Sequence, residues 1–229
     1  PIAMDKIYDF HMHSFLSDGD LLPSEIARRT YVLGHRAVAV TDHADASNLP
    51  EIVRSLVKVS DSLLKQMGDF LLIPGVELTH VPPRSIPQLA KEARRAGAEI
   101  VVVHGETPVE PVREGTNEEA CSCTDVDILA HPGLISERAV LAARANGIFL
   151  ELSFRGGHCL GNGWVAKLAR EAGASLLVNS DAHTVGDHLT PEDAIKIAMG
   201  AGLPRAQAES VVFENPRSLL RKRGISLPV

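Results

Sequence analysis

Residues 91–106 read KEARRAGAEIVVVHGE. Charged and small residues at helical spacing run into Gly97, and the β-branched run Ile100–Val103 follows almost at once. A glycine just past the last helical turn takes the left-handed conformation that ends a helix, and a β-branched run favours a strand. The same order recurs in YVLGHRAVAV at 31–40, AARANGIFLEL at 142–152 and AREAGASLLV at 169–178. Helix, glycine and apolar strand in repetition describe αβ units, and strands apolar on both faces belong to a parallel sheet covered by helices.

Strands are expected at Ile7–His11, Ala37–Thr41, Leu71–Glu77, Glu99–His104, Asp127–His131, Ile148–Leu152 and Ser175–Asn179, with helices near 23–33, 51–67, 85–97, 135–146 and 163–173. Seven strands in 229 residues suit a (β/α) barrel one strand short of the usual eight, with a doubly wound open sheet as the alternative. No segment rich in Pro, Gly or Ser divides the chain, so residues 1–229 are read as one domain.

No apolar run approaches the length of a membrane span and no basic-then-apolar leader opens the sequence, so the expected location is the cytoplasm. Cys121, Cys123 and Cys159 are too few and too irregularly spaced for a disulfide framework. A formal charge of −6 argues against broad binding to a phosphate backbone, and 4% aromatic residues leave little to stack on bases. The basic group Arg217, Arg221, Lys222 and Arg223 is read as solvating a last helix and meeting its dipole.

Chemistry-bearing residues gather at the strand ends. His11 and His13 close the first strand, where residues i and i+2 share a face with Cα atoms about 6–7 Å apart. His43 follows the second strand, Glu77 ends the third, His104 the fourth and His131 the fifth, while Asp181 and His183 follow the seventh. Asp18 lies in the loop after the first. Singly, each has an ordinary explanation as a turn residue, a solvated strand end or a helix cap. In a parallel barrel, however, all these ends meet on one face. Six imidazoles and three carboxylates without thiolate suit Zn, Mn or Fe, and nine donors exceed one ion's needs, so two or three divalent ions are implied, with Glu77 able to bridge.

The set DFHMHSFLSDGD, AVTDHAD, PGVELTH, VVVHGE, DILAHPG and VNSDAHT, in this order, resembles the polymerase and histidinol phosphatase (PHP) family. The resemblance implies an α/β fold, a distorted seven-stranded (β/α) TIM-like barrel, and a metal-dependent phosphoesterase. It assigns one ion to His11, His13, Glu77 and Asp181, a second to Glu77, His104 and His131, and a third to Asp18, His43 and His183. It implies hydrolysis of a small-molecule phosphomonoester, with Glu77 bridging the ions and Asp18 or a metal-bound water as the acid. Arg155 and His158, after the sixth strand, are expected to grip the phosphate, Arg155 through paired N–H donors.

Among the remaining residues, Asp9 and Asp42 are expected to brace loops or orient histidines, His80 to line the pocket or make a turn, and His35 to lie at the other end of the barrel. Asp127 in TDVDIL begins a strand, the wrong place for an aspartyl nucleophile. Two other functions compete: a nuclease or nucleotide phosphoesterase of the PHP family, and an RNA-binding subunit. The latter is suggested by SDAHTVGDHLTPEDA and FENPRSLLRKRG, which resemble the tail of the archaeal p30 subunit of ribonuclease P, a barrel protein whose metal ligands are lost. All nine donors are present here.

Overall fold

The computed structural model describes residues 6–63 and 66–228. Eight strands alternate with helices: β1 (Ile7–Asp9), β2 (His35–Val40), β3 (His43–Ala44), β4 (Leu71–Leu78), β5 (Ile100–His104), β6 (Ile128–Ala130), β7 (Phe149–Ser153) and β8 (Leu176–Asn179). The helices are α1 (Pro23–Val32), α2 (Leu49–Leu63), α3 (Ile86–Ala96), α4 (Thr116–Ser122), α5 (Glu137–Asn146), α6 (Asn162–Ala172), α7 (Pro191–Gly200), α8 (Arg205–Glu209) and α9 (Asn215–Arg223). Residues 64 and 65 of the helix expected at 51–67 lie outside the described residues. Gly97, Gly147 and Gly173 end α3, α5 and α6 in the left-handed conformation, as their sequence context requires.

The strands are parallel and their spatial order, β1-β2-β4-β5-β6-β7-β8, follows the chain. An open doubly wound sheet would reverse its direction from a central strand. Here the two outer strands meet instead. Beyond their ends, the Asp181 N–H donates to the His11 carbonyl at 2.9 Å, and the His13 N–H to the Ala182 carbonyl at 2.8 Å. The fold is therefore a nearly closed, seven-stranded parallel barrel surrounded by helices.

The distortion lies at β2. Its ladder to β4 stops at the pair Val40 and Pro74, and the Thr41 N–H turns away to the Met12 carbonyl at 2.8 Å. The chain then returns as β3, pairing His43 with Glu77. His43 thus stands in a short strand against β4 rather than in a loop, with its side chain brought toward the Glu77 carboxylate.

Two apolar layers hold these elements. The barrel interior is filled by Tyr8, Phe10, Ile73, Val102, Ile128 and Phe149 together with small residues such as Ala37 and Ala39. A larger layer lies between the strands and the helices, including Val38, Leu72, Val101, Leu150 and Val178. The π-helical turn Ser210–Glu214 leads into α9, which carries Leu219 and Leu220 into the interior layer. The basic C-terminal group does more than solvate a helix. Arg223 pairs with Asp127, Lys222 donates to the Gly147 carbonyl at 2.6 Å, and Arg217 donates to the Tyr8 hydroxyl at 3.2 Å.

At the opposite end, where the strands finish, loops after β5, β6 and β7 interlock through backbone. A Cβ on Gly133 would lie 2.2 Å from the Glu106 carbonyl oxygen, and one on Gly161 would lie 2.8 Å from the Cα of Gly133. Only glycine permits either approach.

Asp127 is fully buried just ahead of β6, accepting from Arg94 and Arg223 and from the Val101 N–H at 2.9 Å. Asp127→Ala removes the buried carboxylate that two arginines share and is expected to cost on the order of 3 kcal/mol, read from the urea midpoint. His35, buried at the start of β2 with Nδ1 3.1 Å from the Thr30 carbonyl, is pushed down to about 3 by burial. Between that value and its ordinary range the unfolded chain holds a proton that the folded chain does not. Stability is therefore lost as pH falls through this window, by up to about 1.4 kcal/mol per pH unit. Urea titrations of His35→Gln between pH 4 and pH 7 should show a flatter pH dependence than the wild type.

Candidate metal centre

Glu77 sits at the middle of the barrel mouth with no exposure to solvent. Its Oε1 lies 3.3 Å from His11 Nε2 and 3.7 Å from His131 Nε2, while Oε2 lies 2.7 Å from His43 Nδ1 and 3.7 Å from His13 Nε2. Burial opposes its charge, yet His11, His43 and His104 around it hold the carboxyl well below the usual carboxylate range. A second carboxylate, Asp181, reaches His13 Nε2 at 3.2 Å, His11 Nε2 at 3.7 Å and His131 Nε2 at 3.7 Å. Burial, with Glu77 nearby, pushes Asp181 up to about 7. The third carboxylate, Asp18, is half-exposed and lies 3.3 Å from His183 Nε2 and 3.5 Å from His43 Nε2.

The fold brings all nine donors together. Groups whose donor atoms fall within one ion's reach are His11, His13 and Glu77; His11, His131 and Asp181; Glu77, His104 and His131; and Asp18 with His13, His43 and His183. His11 Nε2, both nitrogens of His13, Glu77 Oε1, His104 Nδ1 and His131 Nδ1 are buried without a well-aligned hydrogen bond. Donor atoms stripped of water and left unpaired fit a site made for cations. Burial holds His13 and His131 well below the ordinary imidazole range, and His104 below it, which keeps them neutral and able to ligate. Two of the non-glycine residues with positive φ, His131 at 27° and Asp181 at 55°, belong to this set. Such backbone conformations carry a cost and gather at functional sites.

The bracing carboxylates occupy the places their sequence neighbours suggest. Asp42 accepts from the Ser14 N–H, the Ser14 hydroxyl and the Ser17 hydroxyl, all at 2.7 Å, and so fixes the loop that carries His13 and Asp18. Asp9 accepts from the N–H groups of His11 and Ser180, tying the ends of β1 and β8, and burial pushes it up to about 7. Arg155 reaches the rim with Nη1 2.8 Å from His183 Nδ1 and Nε 3.8 Å from Asp181. The His158 ring is buried 4.2 Å from that of His131.

Sequence patterns alone do not single out Glu151 and Glu110. Glu151, on β7, lies 2.8 Å from His11 Nδ1, accepts from Asn179 at 2.9 Å, and takes the His131 N–H at 3.3 Å. It orients His11 so that Nε2 faces Glu77. Its signal is present in FLELS, a lone carboxylate within an apolar strand. Glu110 lies between Val109 and Pro111 in the loop after β5, with no pattern to mark it.

Residues 6–225 match the model of the RNase P subunit p30 family. The chain belongs to that family. It is 48% identical to an uncharacterized protein of Methanocaldococcus jannaschii over 94% of this chain and 99% of that one. It is 25% identical to ribonuclease P protein component 3 of Methanosarcina barkeri, over 95% of this chain and 90% of that one. In fold it is similar to a chain of archaeal ribonuclease P determined with mature tRNA, at a TM-score of 0.70 and 15% identity over 93% of this chain and 90% of that chain. It is also similar in fold to the histidinol phosphate phosphatase of Lactococcus lactis, at a TM-score of 0.61 and 15% identity over 87% of this chain and 95% of that chain.

This p30 membership overturns the expectation of a hydrolase acting on a small-molecule phosphomonoester. The likeness to PHP phosphoesterases is one of fold. A donor set records which ions a pocket can hold; it carries no information about what lies over them. The expectation that nucleic acid is no partner also falls. A charge summed over the whole chain averages away the local surfaces on which binding depends.

Replacing Glu151 by Ala frees the His11 ring and is expected to weaken divalent-ion binding about 10–100-fold. Equilibrium dialysis against Zn²⁺, compared with the wild type, measures the change.

Proposed function

We propose that this p30-family chain is an RNA-binding protein subunit of the ribonuclease P kind, working in assembly with RNA and protein partners. The observation that carries this is the family match across residues 6–225. The surface of the mouth supports it. The large apolar side chains Phe15, Val109, Leu134, Leu160 and Val185 are exposed on the loops after β1, β5, β6, β7 and β8. A pocket for a small phosphate ester has no use for an apolar rim standing in water, whereas a macromolecular partner buries it.

The nine donors named above would hold two or three divalent ions, Zn, Mn or Fe. Bound there, they supply positive charge for a phosphate oxygen. The chain's own residues complete such a grip: Arg155 presents its guanidinium at the rim, and His158 stands beside His131. Asp42 and Glu151 keep the loops and rings in place.

Fluorescence anisotropy with a labelled tRNA transcript, with and without Mn²⁺, tests the proposal. Binding whose log affinity falls linearly with log salt is expected, with Arg155→Ala several-fold weaker. Failure to bind the transcript, both alone and with ribonuclease P protein partners added, would overturn it. So would cleavage of the transcript by the Mn-loaded chain acting alone.

A further inference from the structure

The loop between β5 and α4 folds Glu110 back over the mouth. Glu110 Oε2 lies 3.1 Å from His80 Nε2 and 3.1 Å from His104 Nε2, and its other oxygen lies 3.4 Å from His158 Nε2. Three imidazole nitrogens thus face one carboxylate. We infer that His80, His104 and Glu110 form a further divalent-cation position at the mouth of the barrel, beside the nine-donor centre and sharing His104 with it.

Three observations point the same way. First, a tetrahedral ion with bonds of about 2.0–2.2 Å places its donor atoms about 3.3–3.6 Å apart, near the 3.1 Å that separates Glu110 Oε2 from each of the His80 and His104 nitrogens. Second, His80 has φ 53°, and the other non-glycine residues with positive φ among those described are His131 and Asp181. His80 bears the same backbone cost as two donors of the inner centre, and that cost aims its ring at Glu110. Third, the donor atoms of His80, His104 and Glu110 all lie within 4.8 Å of one another, and His104 is more than nine-tenths buried. A buried imidazole and a part-exposed one converging on the same carboxylate oxygen fit a cation site.

His158 does not join the ligating group. It faces the far oxygen of Glu110 and holds the carboxylate in place, as a neighbouring residue commonly does for a ligating carboxylate. The fourth position opens to solvent, since His80 and Glu110 have side chains 42% and 39% exposed. The ion held there is therefore the most readily exchanged. His104 stands between the two groups, its ring 4.4 Å from that of His131 and 5.0 Å from that of His80.

This inference concerns ion occupancy and does not rest on RNA binding, so either can fail without the other. The full chain is dialysed against graded Zn²⁺ and the bound metal counted by mass spectrometry, for the wild type, Glu110→Gln, His80→Ala and the double variant. Circular dichroism confirms folding, which is expected to survive because both side chains are part-exposed. Each single variant should bind one ion fewer per chain, lost from the weakest step, and the double variant should lose no more than either single one. Wild-type stoichiometry and affinity in folded Glu110→Gln and His80→Ala would overturn the inference. So would independent, additive losses in the double variant.

Discussion

The buried Glu77 carboxylate is the constraint on which the rest of the molecule turns. An isolated charge in that position would cost many kcal/mol, so imidazole nitrogens or cations must meet it from several directions at once. His11, His13, His43 and His131 do so from β1, β3 and β6, which lie far apart in sequence. A parallel barrel is a fold in which such distant strand ends converge. The split of β2 and β3 serves the same convergence, because without it His43 would not reach Glu77 from the neighbouring strand.

Much of this was legible in the sequence because its signals are local. Glycines after helices, β-branched runs and the alternation of the two gave the strands within a few residues. The placement of histidines at strand ends gave the cluster. The turn at Thr41 was not legible, since it is set by the hydrogen bond of that residue to Met12 on another strand. Nor was α4, a short helix lacking a strong apolar period, or the use of α9 to seal the barrel, which depends on Asp127 and Tyr8 from remote positions. Glu151 and Glu110 were missed for different reasons, the one hidden in an apolar strand and the other in a loop without a regular pattern.

Function was less legible than fold, for a physical reason. Side chains able to ligate a cation are displayed plainly in the sequence. What a protein binds above that cation is decided by the shape and polarity of loop surfaces, which no local pattern encodes. Phe15, Leu134 and Leu160 look like unremarkable loop residues until the barrel sets them around one opening.

The contact of Gly161 on Gly133, and of Gly133 on the Glu106 carbonyl, has an entropic meaning. Three loops joined backbone to backbone have little freedom left to lose when something settles on them. A molecule docking on this side of the mouth would meet a finished surface, without the ordering penalty of a flexible loop. It also makes the three loops a single unit of change: a side chain introduced at either glycine displaces all of them together.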